Sequence, residues 1–347
     1  MKRTNHIVAV GGICLLLLMA LYFALTARGF VQFDSGYRVI MGTFSRVVVI
    51  AETEEAARAC AEAALAEQRR VDFLMSGYKV DSELSRVNRQ AFEKPVQVGE
   101  ATFEVVQKAV HFSRLSDGAF DVTVGPLVDL LHAAAEANAP PTDAALAEAR
   151  SKVGYEKLIL EESARTIRFA VKGMRIDLGG IAKGYAIDKS VEAMKQRGAL
   201  GGMVDVGGDV RCFGKPPRGQ ESWLIGLQDP NVAPDDLGST QPLLVLKVTD
   251  EAVTTSGSYR RFTVAGGARE SHIMDAHTGH GANALASVTL IAPDATTADA
   301  LATAVSVLGL REGMALVSQL PGTETILIPS GPDAKPIFST GAAAYVK

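Results

Sequence analysis

The sequence predicts an α+β fold behind an N-terminal membrane segment, and three observations carry that reading. Runs rich in β-branched residues and runs with apolar positions three and four apart both recur along the chain, without the strict alternation of a doubly wound parallel sheet. No segment repeats at a fixed period. The 347 residues are 47% apolar and 21% charged, enough to bury a substantial core and too apolar for a disordered chain. A net charge of −4 argues against a nucleic-acid protein, which would normally carry a basic face.

The elements follow in order. Ile7 to Ala27 carry no charge and are almost wholly apolar. As a helix they span about 31 Å, enough to cross a bilayer core. Lys2 and Arg3 precede them, so the N-terminus stays cytoplasmic and the remainder is exported. A cleaved signal peptide is the rival reading, but the stretch is long for one and no clean small-x-small site follows. Residues 1–30 are therefore assigned to the anchor or signal sequence and 31–347 to a single folded domain. Tyr37 to Ala51 reads as strand, turn, strand. Helices are expected at Glu54–Phe73, Ser82–Asn88 and Ala101–Ser116, and after Thr142 as far as Ser151, with Thr142 as the cap. Leu158 to Val171 reads as a hairpin. Arg175 to Leu178 reads as a short strand running into Gly179-Gly180, followed by a helix from Lys183 to Arg197. Strands are expected at Gly202–Val206, Val210–Phe213, Trp223–Leu227, Leu243–Val248, Val253–Thr255, Ala286–Ile291 and Thr325–Pro329, with a helix at Thr296–Leu308. Cys60 and Cys212 could pair in an oxidising compartment, but small buried residues are the better reading. No CxxC or His/Cys cluster points to zinc.

Four segments can carry chemistry. In Asp177-Leu178-Gly179-Gly180-Ile181-Ala182-Lys183-Gly184-Tyr185 a strand ends, glycines turn the chain and a helix begins. Amides at such a start can hold an anion. Lys183 adds a cation where the helix dipole calls for none, which favours a ligand role over an ordinary capped turn. Asp299 and Thr303 stand four apart on an otherwise apolar helix and so share a face. Hard oxygens of this kind suit Mg²⁺; alternatively, Asp299 merely answers the helix dipole. The Ser/Thr-rich turn of Ser256, Gly257 and Arg260 can bind phosphates. His272, near Asp275, can act as a general base held by a carboxylate, or be structural. Gly118 to Leu127 reads as a loop, with Phe120 packed into the core. Met41 and Tyr78 could sandwich a flat ring or belong to the core.

Together these segments resemble the FAD:protein FMN transferase family of the ApbE type. The resemblance runs from Met41-Gly42-Thr43 through Asp81-Ser82-Glu83-Leu84-Ser85-Arg86-Val87-Asn88, Asp117-Gly118-Ala119-Phe120-Asp121 and Val206-Gly207-Gly208-Asp209 to Asp299-Ala300-Leu301-Ala302-Thr303. Each motif is weak alone; all of them in this order are specific. The resemblance implies an α+β catalytic domain that binds FAD with Mg²⁺ in a cleft between lobes. It also implies an exported, often membrane-anchored enzyme that attaches FMN to a Thr or Ser of a flavoprotein and releases AMP. By the family's pattern Met41, Tyr78, Ala119, Phe120, Asp121, Asp177, Lys183 and Ile273 contact FAD, Asp299, Thr303 and the Gly180 carbonyl bind Mg²⁺, and His272 is catalytic. Ala276 and Val122 depart from it, standing where a Pro is common. Two alternatives share the site: Mg²⁺-dependent hydrolysis of FAD to FMN and AMP, and FAD binding without turnover. A nicotinamide dehydrogenase is disfavoured, since no GxGxxG follows a strand.

Overall fold

In this computed structural model the described residues are 29–232, 241–257, 262–265, 268–331 and 333–347. The apolar stretch Ile7–Ala27 lies outside them. The described chain opens with β1 (Val31–Asp34), β2 (Arg38–Ile40) and β3 (Thr43–Ala51), then α1 (Glu54–Met75), α2 (Glu83–Gln90), β4 (Val96–Gln97) and α3 (Glu100–Leu115). Next come α4 (Gly125–Glu136), α5 (Asp143–Ser151), β5 (Leu158–Glu161), β6 (Thr166–Phe169) and α6 (Ala182–Gln196). The strands β7 (Gly201–Val206), β8 (Asp209–Gly214), β9 (Trp223–Leu227), β10 (Leu244–Val248), β11 (Ala252–Gly257), β12 (Phe262–Ala265), β13 (Ala268–Ser271) and β14 (Leu285–Ala292) follow. The chain closes with α7 (Ala295–Val317), β15 (Glu324–Pro329) and β16 (Ile337–Phe338). The fold is mixed α+β, as the sequence predicts.

A nine-stranded sheet organises the molecule, in the order β1-β3-β7-β8-β11-β14-β15-β16, with β2 also paired to β3. All of its pairings are antiparallel. Alternation along β3 sends Val47, Val49 and Ala51 to one face and Val48 and Ile50 to the other. The first face packs against α1, α6 and α7 in the main core. The second packs against the β9–β10 hairpin through Trp223, Ile225, Leu246 and Val248. The result is three layers: helices, sheet, hairpin. A smaller cluster, Leu127, Leu131, Ala149, Val153 and Met274, joins α4 and α5 to the loop after β13.

Caps fix several helix starts where the sequence places them. Thr53, Ser82 and Thr142 each accept an amide hydrogen bond from three residues on. The expected end of the last helix at Leu308 matches a break inside α7, where Gly309 has φ 75°. Among the described residues only α7 is long and apolar enough to cross a membrane, and it is largely buried in the core. Cys60 and Cys212 are free and buried on opposite faces of the sheet, so they do not pair.

Two expectations need correction. The Gly118–Leu127 segment is not all loop: Gly125 starts α4, with Pro126 in its first turn. Arg175–Leu178 is not a strand and contributes only a single bridge, Val124 to Arg175. Its backbone bonds are taken elsewhere. The Asn88 side chain donates to the Ile176 carbonyl at 3.0 Å and accepts from the Ile176 amide at 2.8 Å, while the Asp177 amide donates to the Val122 carbonyl. The Asp275 carboxylate accepts from the His277 amide and from the Thr278 hydroxyl, both at 2.8 Å, and so organises its own turn.

Candidate functional site

Three elements meet on the helix-facing side of the sheet. The two-residue turn between β7 and β8 uses Gly207 and Gly208, both at positive φ, as a type I′ turn demands. Asp209 follows immediately, on the strand face toward α6. Helix α6 begins after Gly179-Gly180 and places Lys183 in its first turn. Helix α7 places Asp299 and Thr303 one turn apart.

These side chains form a charged node. The Lys183 ammonium donates to Asp209 Oδ2 and, at 3.2 Å, to Asp299 Oδ1. Asp299 Oδ2 accepts from the Gly184 amide at 2.9 Å, and Asp209 Oδ1 from the Thr255 amide at 3.1 Å. The two carboxylates are almost fully buried, whereas the Lys183 side chain keeps 26% exposure, so the node opens outward on the lysine side. Burial raises the Asp299 carboxyl above its usual range and Asp209 adds to that, while Lys183 and the Gly184 amide pull it down. Burial alone would lower the Lys183 ammonium, but Asp209 and Asp299 outweigh it and hold it above the ordinary lysine range. The cation that the helix dipole does not explain is thus explained by two buried carboxylates.

The charge of the node suits a further cation. Two carboxylates face one ammonium, which leaves one buried negative charge uncompensated. The Thr303 hydroxyl oxygen stands 2.9 Å from the point a Cβ on Gly180 would occupy, so only glycine lets the Gly179-Gly180 turn approach it this closely. A carboxylate, a hydroxyl and a backbone carbonyl are the hard oxygen donors that Mg²⁺ takes. The residues present therefore fit such an ion.

The remaining candidates fall around this node to different degrees. Phe120 is buried, and its ring lies 3.1 Å from the same Gly180 Cβ position, which brings the Ala119-Phe120-Asp121 turn to the node. The Asp121 carboxylate is itself engaged, accepting from Thr123 and from the Tyr155 amide, so it shapes that turn from inside. Asp177 accepts from the Gly179 amide at 2.7 Å and holds the glycine turn. Tyr78 is 89% exposed and lines a cavity of about 240 Å³ with Gly77, Val80, Ser85, Asn88, Arg89 and Arg175. Met41 is half-buried against the core and, with Gly42, forms the β2–β3 turn at φ 55°. Ser256 and Gly257 end β11, two and three residues beyond Thr254 in the strand that pairs with β8 and β14. Ile273 is buried, and His272 beside it is exposed on a segment anchored by Ser271 and Met274. Arg260 lies outside the described residues.

Sequence reasoning left Asp209 out of the site, although the Gly207-Gly208-Asp209 turn was visible as a motif. It also left out Gly184, whose amide holds Asp299. A Cβ on Gly184 would lie 2.2 Å from the Ala295 carbonyl oxygen, so the glycine permits α6 and α7 to touch.

The chain resembles known proteins over most of its length. The ApbE family profile matches residues 41–327. An FAD:protein FMN transferase of Treponema pallidum is 32% identical over 335 residues, 92% of this chain and 90% of that protein. One from Vibrio cholerae is 37% identical over 252 residues, covering 71% and 73%. Among solved structures, the ApbE protein of Thermotoga maritima superimposes with a TM-score of 0.79 at 30% identity, covering 92% of this chain and all of that one. The flavin transferase ApbE of Vibrio cholerae gives 0.78 at 29% identity, covering 91% of this chain.

Proposed function

This chain belongs to the ApbE family, and on that premise we propose that it is an FAD:protein FMN transferase, which cleaves FAD, attaches FMN through a phosphoester to a Thr or Ser of an acceptor flavoprotein, and releases AMP. The observation that supports this most is the buried node of Lys183, Asp209 and Asp299, with Thr303 and Gly180 beside it.

Asp299, Thr303 and the Gly180 carbonyl would hold Mg²⁺. When bound, that ion neutralises pyrophosphate charge and makes the phosphorus more electrophilic. Lys183, the least buried charged member of the node, supplies a second positive charge to the phosphates. Met41, Tyr78, Ala119, Phe120, Asp177, Ser256, Gly257, Arg260 and Ile273 are the proposed FAD contacts, with Asp121 shaping the 119–121 turn. His272 takes the proton from the acceptor hydroxyl. That oxygen bonds to the FMN phosphorus while the phosphorus–oxygen bond to AMP breaks, and AMP leaves with the bonding electrons. The exposure of His272 on a buried-flanked loop suits a base that must meet a second protein. We assign the uncharged stretch Ile7–Ala27 to an inner-membrane anchor and the catalytic part to the periplasmic side, where an exported acceptor would be met; protease accessibility in spheroplasts tests this.

Incubation with FAD, Mg²⁺ and an acceptor flavoprotein, followed by mass analysis, tests the activity. Covalent FMN on a Thr or Ser with stoichiometric AMP supports transfer. Free FMN and AMP alone would make the enzyme an FAD pyrophosphatase, and bound FAD without AMP would make it a flavin-binding protein.

A further inference from the structure

A second polar cluster ties together the same three elements as the node. It lies further along α6. Asp188 Oδ1 accepts from the Arg211 guanidinium of β8 at 2.6 Å and from the Ala295 amide at 2.9 Å. Asp188 Oδ2 accepts from the Thr296 amide at 2.9 Å and from the Thr296 hydroxyl at 2.5 Å. Direct contacts, not spacing alone, join α6 to both neighbours in each cluster. Asp209 and Arg211 are two apart on one face of β8, and Thr296 and Asp299 three apart on one face of α7, while Lys183 and Asp188 are five apart along α6.

The charge order is reversed between them. In the node α6 supplies the cation and β8 the carboxylate. In the second cluster α6 supplies the carboxylate and β8 the cation. Sliding α6 along β8 from one cluster to the other would set Lys183 against Arg211 or Asp188 against Asp209. Paired clusters of opposite order therefore define one register, the best-attested use of buried ion pairs.

Asp188 is also more than a helix cap. Helix α7 already has a local one: Asp294 accepts from the Thr297 amide at 2.8 Å and from the Thr297 hydroxyl at 2.9 Å. The bonds from Ala295 and Thr296 to Asp188 add little to starting the helix. What they do is bind its first turn to α6, beside the Gly184 contact.

We propose that Asp188 is a positioning residue of the site, fixing the rotation and depth of α7 so that Asp299 and Thr303 face the Gly180 carbonyl. This rests on the reading of Asp299 and Thr303 as Mg²⁺ ligands. Asp188 acts one step beyond a direct partner of the ligands: it holds the first turn of the helix that carries them.

The test is titration calorimetry of Mg²⁺ into the FAD-free protein, with thermal unfolding followed in parallel. Asp188→Asn keeps the shape and removes the charge. It is expected to weaken Mg²⁺ binding severalfold, and to raise the Mg²⁺ concentration needed for half-maximal AMP release while leaving the rate at saturating Mg²⁺ near wild type. Leu246→Ala, on the opposite face of the sheet, serves as the destabilised control and should bind Mg²⁺ as wild type does. If Asp188→Asn binds Mg²⁺ within twofold of wild type, Asp188 is only structural and the proposal falls. Should Asp188→Asn fail to fold, Thr296→Val, which removes one of the four bonds, is read the same way: a severalfold loss of affinity supports the proposal and wild-type affinity overturns it. If wild type gives no Mg²⁺ binding, or Asp299→Asn binds as well as wild type, the cation reading itself is overturned and this proposal with it.

Discussion

The two faces of the nine-stranded sheet are built from different chemistry. The hairpin face buries Val48, Ile50, Val210, Cys212, Val253, Ile291 and Ile326 against Trp223, Ile225, Leu246 and Val248. The helix face has a larger apolar core, but it also buries Lys183 with Asp209 and Asp299, Asp188 with Arg211, and Ser45 with Gln68, whose hydroxyl and amide oxygen lie 2.6 Å apart. Alternation along one strand produces the difference: Asp209 and Arg211 point one way from β8, Val210 and Cys212 the other. Buried charge adds little to stability and often subtracts from it. Its concentration on one face marks that face as the one shaped for chemistry, and leaves the other to hold the sheet together.

The sharpest way to break this comparison is Asp299→Ala. It should abolish Mg²⁺-dependent AMP release, yet lower the thermal midpoint in Mg²⁺-free buffer only modestly, because the Gly184 amide loses its acceptor while Lys183 and Asp209 remain as a neutral pair. Wild-type AMP release, or a collapse of the fold, would show that the node is structural. His272→Ala comes next. Loss of a general base predicts a fall of about 10²- to 10⁴-fold in FMN transfer, with FAD binding by fluorescence unchanged. Transfer at the wild-type rate would remove His272 from the chemistry. The hairpin face should respond the opposite way. Leu246 is fully buried there, and Leu246→Ala should cost about 2–5 kcal/mol of unfolding free energy without altering Mg²⁺ affinity; a change in affinity would join the two faces functionally.

The smallest effect belongs to the sheet rim. The Arg46 guanidinium hydrogen-bonds Asp34 and, against partial burial, holds its carboxyl below the ordinary range. A carboxyl depressed in the folded state contributes stability above its unfolded pKa and loses it as pH falls through the folded value. Asp34→Asn should therefore cost no more than about 1 kcal/mol at pH 7, and the difference from wild type should shrink as the pH falls through the depressed folded value. Urea titrations from pH 7 into the acid range would measure it.

Much of this was legible in the chain. The expected α1, α2, α5 and α6 are all present, and the first three start on caps, Thr53, Ser82 and Thr142, that act within three residues of themselves. The shared face of Asp299 and Thr303 follows from a spacing of four on a helix. Other elements were hidden for physical reasons. Gly125-Pro126 reads as a loop, yet Pro is well placed at a helix start. The alternating Arg175–Leu178 run reads as a strand, but Asn88, 88 residues away from Ile176, takes the bonds a neighbouring strand would have made.

By itself, then, the sequence determined what depends on neighbours along the chain: the α+β pattern, the helix starts, the glycine turn before Lys183 and the resemblance that its ordered motifs carry. Only the tertiary structure decided which charges share one buried space. Lys183 meets an Asp 26 residues away and another 116 residues away, and Asp188 meets the start of α7 from 107 residues away. No local period encodes such meetings. They arise because sheet register and the close approach at Gly184 bring α6, β8 and α7 together, and because a carboxylate removed from water there must find its partner within hydrogen-bond reach.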